Sequence, residues 1–267
     1  MDGLVIAGIL NVTPDSFSDG GQYAGTQRAI ERGLQMAGEG ATWIDVGGES
    51  TRPGAQSVTP EEEAERVVPV VQTLAHALPR HVVSVDTSKA SVARRALEAG
   101  ARVINDVTGL EDPDMATVVA HYEADLVIMH MRGTPRSMQS NTDYNDLLGE
   151  IEEALMAKVA LAREAGIPAH RVILDPGIGF GKAPKDNVTL IQQVQRWKAH
   201  GHRVMIGASR KSFLGQLTGV SDPKKRLAGS LGAALAAAEN GADILRVHDV
   251  KETRDALTVF QACRRTG

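Results

Sequence analysis

The chain has 267 residues, 42% of them hydrophobic, a net charge of −4 and one cysteine; such a length fits one domain over 1–267 around a single large core. No basic block exceeds Lys224-Lys225-Arg226, read as a solvated helix face, and no apolar run approaches the ~20 residues that span a bilayer, which argues against nucleic-acid and membrane partners. Lone Cys263 excludes an internal disulfide, and Met1-Asp2-Gly3 lacks the basic segment of a signal peptide, so the expected location is cytoplasmic.

Eight short β-branched runs, each closed by polar groups, read in order as strands: 8–11, 44–49, 83–86, 103–106, 127–130, 172–175, 204–211 and 244–248. Between them, apolar residues at three- and four-residue intervals predict helices over 26–37, 60–77, 89–99, 113–121, 144–165, 186–199, 224–240 and 251–263. Thr59-Pro60-Glu61-Glu62 supplies an N-cap, a first-turn proline and the Glu of a capping box; Asp112-Pro113 and Asp249 are read as further caps. Gly40, Gly100, Gly166 and Gly241 stand where helices end. Alternation of strand and helix leaves an open doubly wound sheet or a closed barrel, and eight repeats favour a (β/α)8 TIM barrel. In such a barrel all strand C-termini open on one face, where active sites lie.

The polar strand ends then become candidate site residues. The loop Asn11 to Gly21 carries amide, hydroxyl, carboxylate and Phe17, and reads equally as a ligand loop or an Asx-type turn. In Gly47-Gly48-Glu49-Ser50-Thr51-Arg52-Pro53-Gly54, Arg52 offers a planar donor fork suited to phosphate or carboxylate. Asp86, Asn105 and Asp175 end three strands, and together suit the N–H edge of a guanidine-like heterocycle; Asp86 alone could instead cap a helix. Asp175 to Lys182 is too short between glycines for a Walker loop, so its glycines are read as admitting a planar ligand beside Phe180. Ser209-Arg210-Lys211-Ser212 enters a helix and can receive an anion. Arg246 and His248 share one side of an extended segment and point to a polyanion. His200 and His202 lie on the opposite face and are read as solvated.

With these residues assembled, the chain resembles the dihydropteroate synthase family along nearly its whole length. The resemblance is carried by 8–20, 45–54, 84–87, 104–106, 129–131, 174–182, 207–212 and 246–250. It implies a homodimeric (β/α)8 barrel that joins p-aminobenzoate to 6-hydroxymethyl-7,8-dihydropterin diphosphate with Mg²⁺ and is a sulfonamide target. By the same resemblance Asp86, Asn105, Asp175 and Lys211 hold the pterin, with Met129 and Arg246 bracketing its faces. Asn11 contacts Mg²⁺; Asn11, Arg52, Arg246 and His248 take the diphosphate. Phe17, Thr51, Pro53, Phe180 and Ser212 frame p-aminobenzoate, while Asp19 belongs to a loop that closes over the site. Asp86, Lys211, Arg246 and His248 carry the catalysis. The small-residue helix Leu227 to Ala238 is the expected dimer contact. Two rivals are a corrinoid-linked methyltetrahydrofolate methyltransferase, which needs no such anion-binding groups, and a catalytically silent pterin-binding protein.

Overall fold

A computed structural model describes residues 3–13, 21–50, 58–134, 137–138 and 142–264. Eight strands, β1 Val5–Asn11, β2 Trp43–Gly47, β3 Val82–Asp86, β4 Val103–Asp106, β5 Asp125–Met129, β6 Val172–Asp175, β7 Arg203–Ile206 and β8 Ile244–Val247, pair in sequence order into a closed barrel. Every pairing is parallel, and β8 closes on β1. The helices are α1 Gly21–Glu39, α2 Pro60–Ala77, α3 Ala90–Glu98, α4 Met115–His121, α5 Leu147–Glu164, α6 Pro184–Gln192, α7 Val194–Lys198, α8 Ser212–Thr218, α9 Leu227–Glu239 and α10 Val250–Cys263.

Strand side chains alternate between the two faces, so each strand supplies two sets. Ile44, Val46, Val83, Val85, Ile104, Ile128, Leu174, Ile206 and Leu245 pack outward in the core shared with the helices. Ala7, Trp43, Val103, Val127, Ile173, Met205 and Ile244 form a separate apolar plug inside the barrel. Helix α2 shows how burial outweighs local cost: its interior Pro69 breaks a backbone bond at about 3 kcal/mol. Val67, Val70, Val71 and Leu74 on the same helix are fully buried, each contributing roughly 1.5–3 kcal/mol.

Helix ends partly depart from expectation. Thr59 caps α2, accepting from the Glu62 N–H at 3.2 Å, but the Glu62 carboxylate accepts from Arg66 at 2.5 Å. Asp112 divides its carboxylate: Oδ1 accepts from the Asp114 N–H at 3.0 Å in the turn before α4, which begins two residues later than Pro113, and Oδ2 accepts from the Ala90 N–H at 2.8 Å and so caps α3. Asp249 precedes α10 without capping it, because Arg210 holds its carboxylate. The 186–199 segment is two helices, starting at Pro184 and broken at Gln193. Lys224 and Lys225 sit in a 3-10 turn rather than on a helix face, and Arg226 bonds the Val220 and Arg210 carbonyls at 2.9 Å. His202 is buried, not solvated, with Nδ1 at 3.0 Å from the Ala169 carbonyl, and His200 pairs with Glu152.

Candidate active site

Adding two or four residues to each inward residue of the plug reaches Asn11, Asp45, Asn105, Met129, Asp175, Arg246 and His248; on β3 the same face carries Ser84 and Asp86. The interior is therefore apolar at one end and polar at the strand C-termini. The polar layer is hydrogen-bonded across four strands. Arg246 donates from Nε to Asp45 Oδ2 at 2.6 Å and from a terminal nitrogen to Asp86 Oδ2 at 2.7 Å. Asp45 also accepts from Ser84 Oγ at 2.6 Å and from Asn105 Nδ2 at 3.2 Å. Asp86 is thus no helix cap; Thr87 Oγ1 accepts from the Lys89 N–H next to α3 instead.

Electrostatics follow from this burial. Asp86 is pushed up to about 7 by burial and by the charges of Asp45, Glu63 and Asp106, against the opposing pull of Arg246. Burial also raises Asp175, opposed by Lys211 and by the Gly177 N–H, which donates to its Oδ1 at 2.7 Å. Lys211 is lowered to about 8, chiefly by burial, with Asp175 working the other way. Its ammonium stands 4.3 Å from the centre of the Phe180 ring and donates to the Ile178 carbonyl. A cation over an aromatic face, held by a carbonyl, gives one wall of the cleft.

Beside it lies an apolar wall of Met129, Phe180, Val107 and Met138. The loop after β6 is held against β5 by Lys182, whose Nζ lies 2.9 Å from His130 Nδ1 and 2.9 Å from the Phe180 carbonyl. Burial and the neighbouring Lys182 lower His130 to about 3, and burial lowers Lys182. Gly177 makes this approach possible: its φ is +75° and a Cβ there would lie 1.8 Å from the His130 carbonyl oxygen.

On the other side, Ser209 Oγ accepts from the His248 N–H at 3.2 Å and lies 3.0 Å from His248 Nδ1. Arg210 takes a left-handed φ of +61°, is clamped to Asp249, and so separates its own outward course from that of Lys211. Ser212, exposed, is the first residue of α8. Asn11 ends β1, and a Cβ on neighbouring Gly47 would lie 3.7 Å from Asn11 Oδ1 and 3.9 Å from Asp86 Oδ2. Asp86 Oδ2 is engaged by Arg246 at 2.7 Å, so Asn11 Oδ1 is the hard oxygen on offer beside this glycine. Among the described residues no three His, Cys, Asp or Glu side chains form a ready metal cage. A sparse all-oxygen set completed by water and phosphate is what Mg²⁺ accepts, so the residues fit that ion.

The structure brings together Asn11, Asp86, Asn105, Met129, Asp175, Phe180, Lys211, Arg246 and His248 at one barrel mouth. Phe17, Asp19, Thr51, Arg52 and Pro53 lie outside the described residues. Sequence reasoning missed Asp45, Ser84 and Lys182, and it took Ser209 only as part of an anion-receiving segment, not as the partner of His248. For Asp45 the signal was present: an aspartate between Ile44 and Val46, two residues before Gly47, falls on the inward face. Lys182 gave none, since a lysine in a glycine-rich loop reads as solvated.

Residues 7–248 match the family described as pterin-binding enzymes. The chain is 45% identical over 258 residues to the dihydropteroate synthase of Synechocystis sp., covering 96% of this chain and 89% of that one. It superimposes on the Xanthomonas albilineans dihydropteroate synthase with 4-aminobenzoic acid at a TM-score of 0.93 and 45% identity, over 100% of this chain and 95% of that one. The same enzyme in complex with 7,8-dihydropteroate gives 0.89 and 42%, over the same shares. A barrel mouth lined by Asp86, Asn105, Asp175, Lys211 and Arg246, with likeness running the length of the chain, leads to one conclusion: the chain belongs to the pterin-binding enzymes, as a dihydropteroate synthase.

Proposed function

We propose that this barrel mouth joins p-aminobenzoate to 6-hydroxymethyl-7,8-dihydropterin diphosphate, giving 7,8-dihydropteroate and diphosphate. The observation that carries the reading is the hydrogen-bonded chain Asn105–Asp45–Arg246–Asp86, which sets an amide, a guanidinium and a carboxylate in one layer beneath the opening. That layer, with Asp175 and Lys211, suits the donor-rich edge of a pterin. Met129 and Arg246 bracket its two faces.

In the reaction the bond between the pterin methylene and the diphosphate oxygen breaks, the aniline nitrogen bonds to that carbon and loses a proton, and diphosphate leaves. Positive charge develops in the pterin and negative charge on the leaving group. Asp86 stabilises the first; Arg52, Arg246 and His248 receive the second, so preorganised electrostatics carry the rate. Asp86 enters this role partly neutralised, because Arg246 already holds it. Asn11 would hold Mg²⁺, which would supply positive charge for the leaving diphosphate. The aniline is already nucleophilic, so positioning by Phe17, Thr51, Pro53, Phe180 and Ser212, under a loop containing Asp19, completes the catalysis.

The same reading takes the protein as a cytoplasmic sulfonamide target and a homodimer. Ala228, Gly232 and Ala236, exposed at four-residue spacing on α9, support close packing of a second copy. Among the described residues, no helix is long and apolar enough to cross a membrane. Release of diphosphate on mixing the purified protein with both substrates and Mg²⁺, followed by a coupled assay, is the expected result. No release, with folded protein, overturns the reading.

A further inference from the structure

We propose that Asp45 is a positioning residue which, from beneath the ligand, fixes the orientation of both Asn105 and Arg246. It is 1% exposed, and three donors from three different strands converge on it: Ser84 from β3, Asn105 from β4 and Arg246 from β8. With its two oxygens so engaged inside the barrel, Asp45 acts through its neighbours.

With Ser84 and Arg246 donating to its two oxygens, Asp45 meets Asn105 as an acceptor, so the part of the Asn105 amide that faces it is its NH2 group. That chemistry removes the ambiguity between amide oxygen and nitrogen: one N–H is committed downward, leaving Oδ1 and the second N–H for a heterocycle above. Arg246 is fixed likewise. Its Nε–H goes to Asp45 and one terminal N–H to Asp86, which sets the guanidinium plane and leaves its other N–H groups for ligand. Ser84, opposite Asp45 in the register of β2 and β3, holds the other carboxylate oxygen and keeps Asp45 from turning. An asparagine in place of Asp45 could present either an oxygen or an NH2 group to Asn105, and the amide above would have no defined sense.

The inference rests on the pterin reading, and the experiment separates the two. Binding of 6-hydroxymethylpterin is measured by calorimetry for the unmutated protein, Asp45→Asn, Asn105→Ala and the double variant. Loss of one bond to a charged group predicts about tenfold weaker binding for Asp45→Asn. Because neighbours in one network do not add, that loss shrinks to about threefold or less in the Asn105→Ala background. In turnover, Asp45→Asn raises the KM for the pterin diphosphate and lowers kcat through Arg246, while the KM for p-aminobenzoate stays put. Equal losses in both backgrounds, or a parallel rise in both KM values, overturn the proposal. If Asp45→Asn does not fold, Ser84→Ala takes its place in the cycle with the same expectation and the same refuting outcome. Absence of pterin binding by the unmutated protein overturns the functional reading instead.

Discussion

Arg246 on β8 and Asp86 on β3 meet across the barrel mouth, with the guanidinium 2.7 Å from Oδ2 although 160 residues separate them in sequence. The pairing leaves Asp86 near the middle of the physiological pH range rather than deep in the carboxylate range, because burial and the Asp45, Glu63 and Asp106 charges outweigh Arg246. In the proposed reading the pterin meets Asp86 as a carboxylate and Lys211 as an ammonium. Affinity for 6-hydroxymethylpterin is therefore expected to peak between the two values, about 7 and about 8. It falls at lower pH as Asp86 gains a proton and at higher pH as Lys211 loses one; the limbs belong to the coupled pair. Asp86→Asn weakens the acid limb, and what remains of it belongs to Asp175, which burial also raises. A titration series that is flat across this range contradicts the assignment.

Arg246→Ala leaves Asp45 and Asp86 facing each other without a cation. Breaking a buried pair costs about 3–5 kcal/mol, so chemical denaturation at neutral pH should show a loss of that order. The sign of its pH dependence follows from Asp86, raised from 3.8 to about 7. Between those values the folded state binds more protons than the unfolded state, so stability from this site falls as pH rises. The variant should accordingly be least impaired at acid pH. A deficit that grows on acidification refutes the electrostatic cause.

Asp175→Asn removes a charge that faces the cleft while keeping the shape. Its Oδ1 accepts from the Gly177 N–H at 2.7 Å. Pterin affinity is expected to fall by roughly 1.5–3 kcal/mol, the value of a hydrogen bond to a charged group. Calorimetry giving unchanged affinity removes Asp175 from the pterin site.

Gly177→Ala forces a Cβ into the His130 carbonyl and a side chain into a left-handed φ of +75°. Strain of this kind costs about 1–3 kcal/mol before the steric clash is counted. Thermal unfolding should shift down and pterin binding weaken, since the Asp175–Gly177 bond moves with the loop. Ala substituted at Gly38 on α1, where a Cβ meets nothing within 4 Å, is the control and should leave pterin binding unchanged without lowering the unfolding temperature. Equal behaviour of the two variants contradicts the packing argument.

Much of this protein was legible from local pattern alone. Strands buried on both faces and alternating with helices suit an open doubly wound sheet or a closed barrel, and the eight repeats favour the barrel. Since each run ends in a polar group, the barrel brings Asp86, Asn105, Asp175, Arg246 and His248 to one mouth. The glycines at 40, 100, 166 and 241 ended helices as read, all with positive φ. What tertiary structure alone decided is which polar group meets which. Asp112 and Asp249 have the local form of caps, yet one also serves the neighbouring helix and the other holds Arg210. Asp45 can be placed on the inward face from its position alone, but its partners appear only when closure of the barrel brings Ser84, Asn105 and Arg246 onto its two oxygens. Local sequence sets backbone periodicity through sterics and burial, whereas a buried charge chooses its partner from across the barrel, where distance along the chain carries no information.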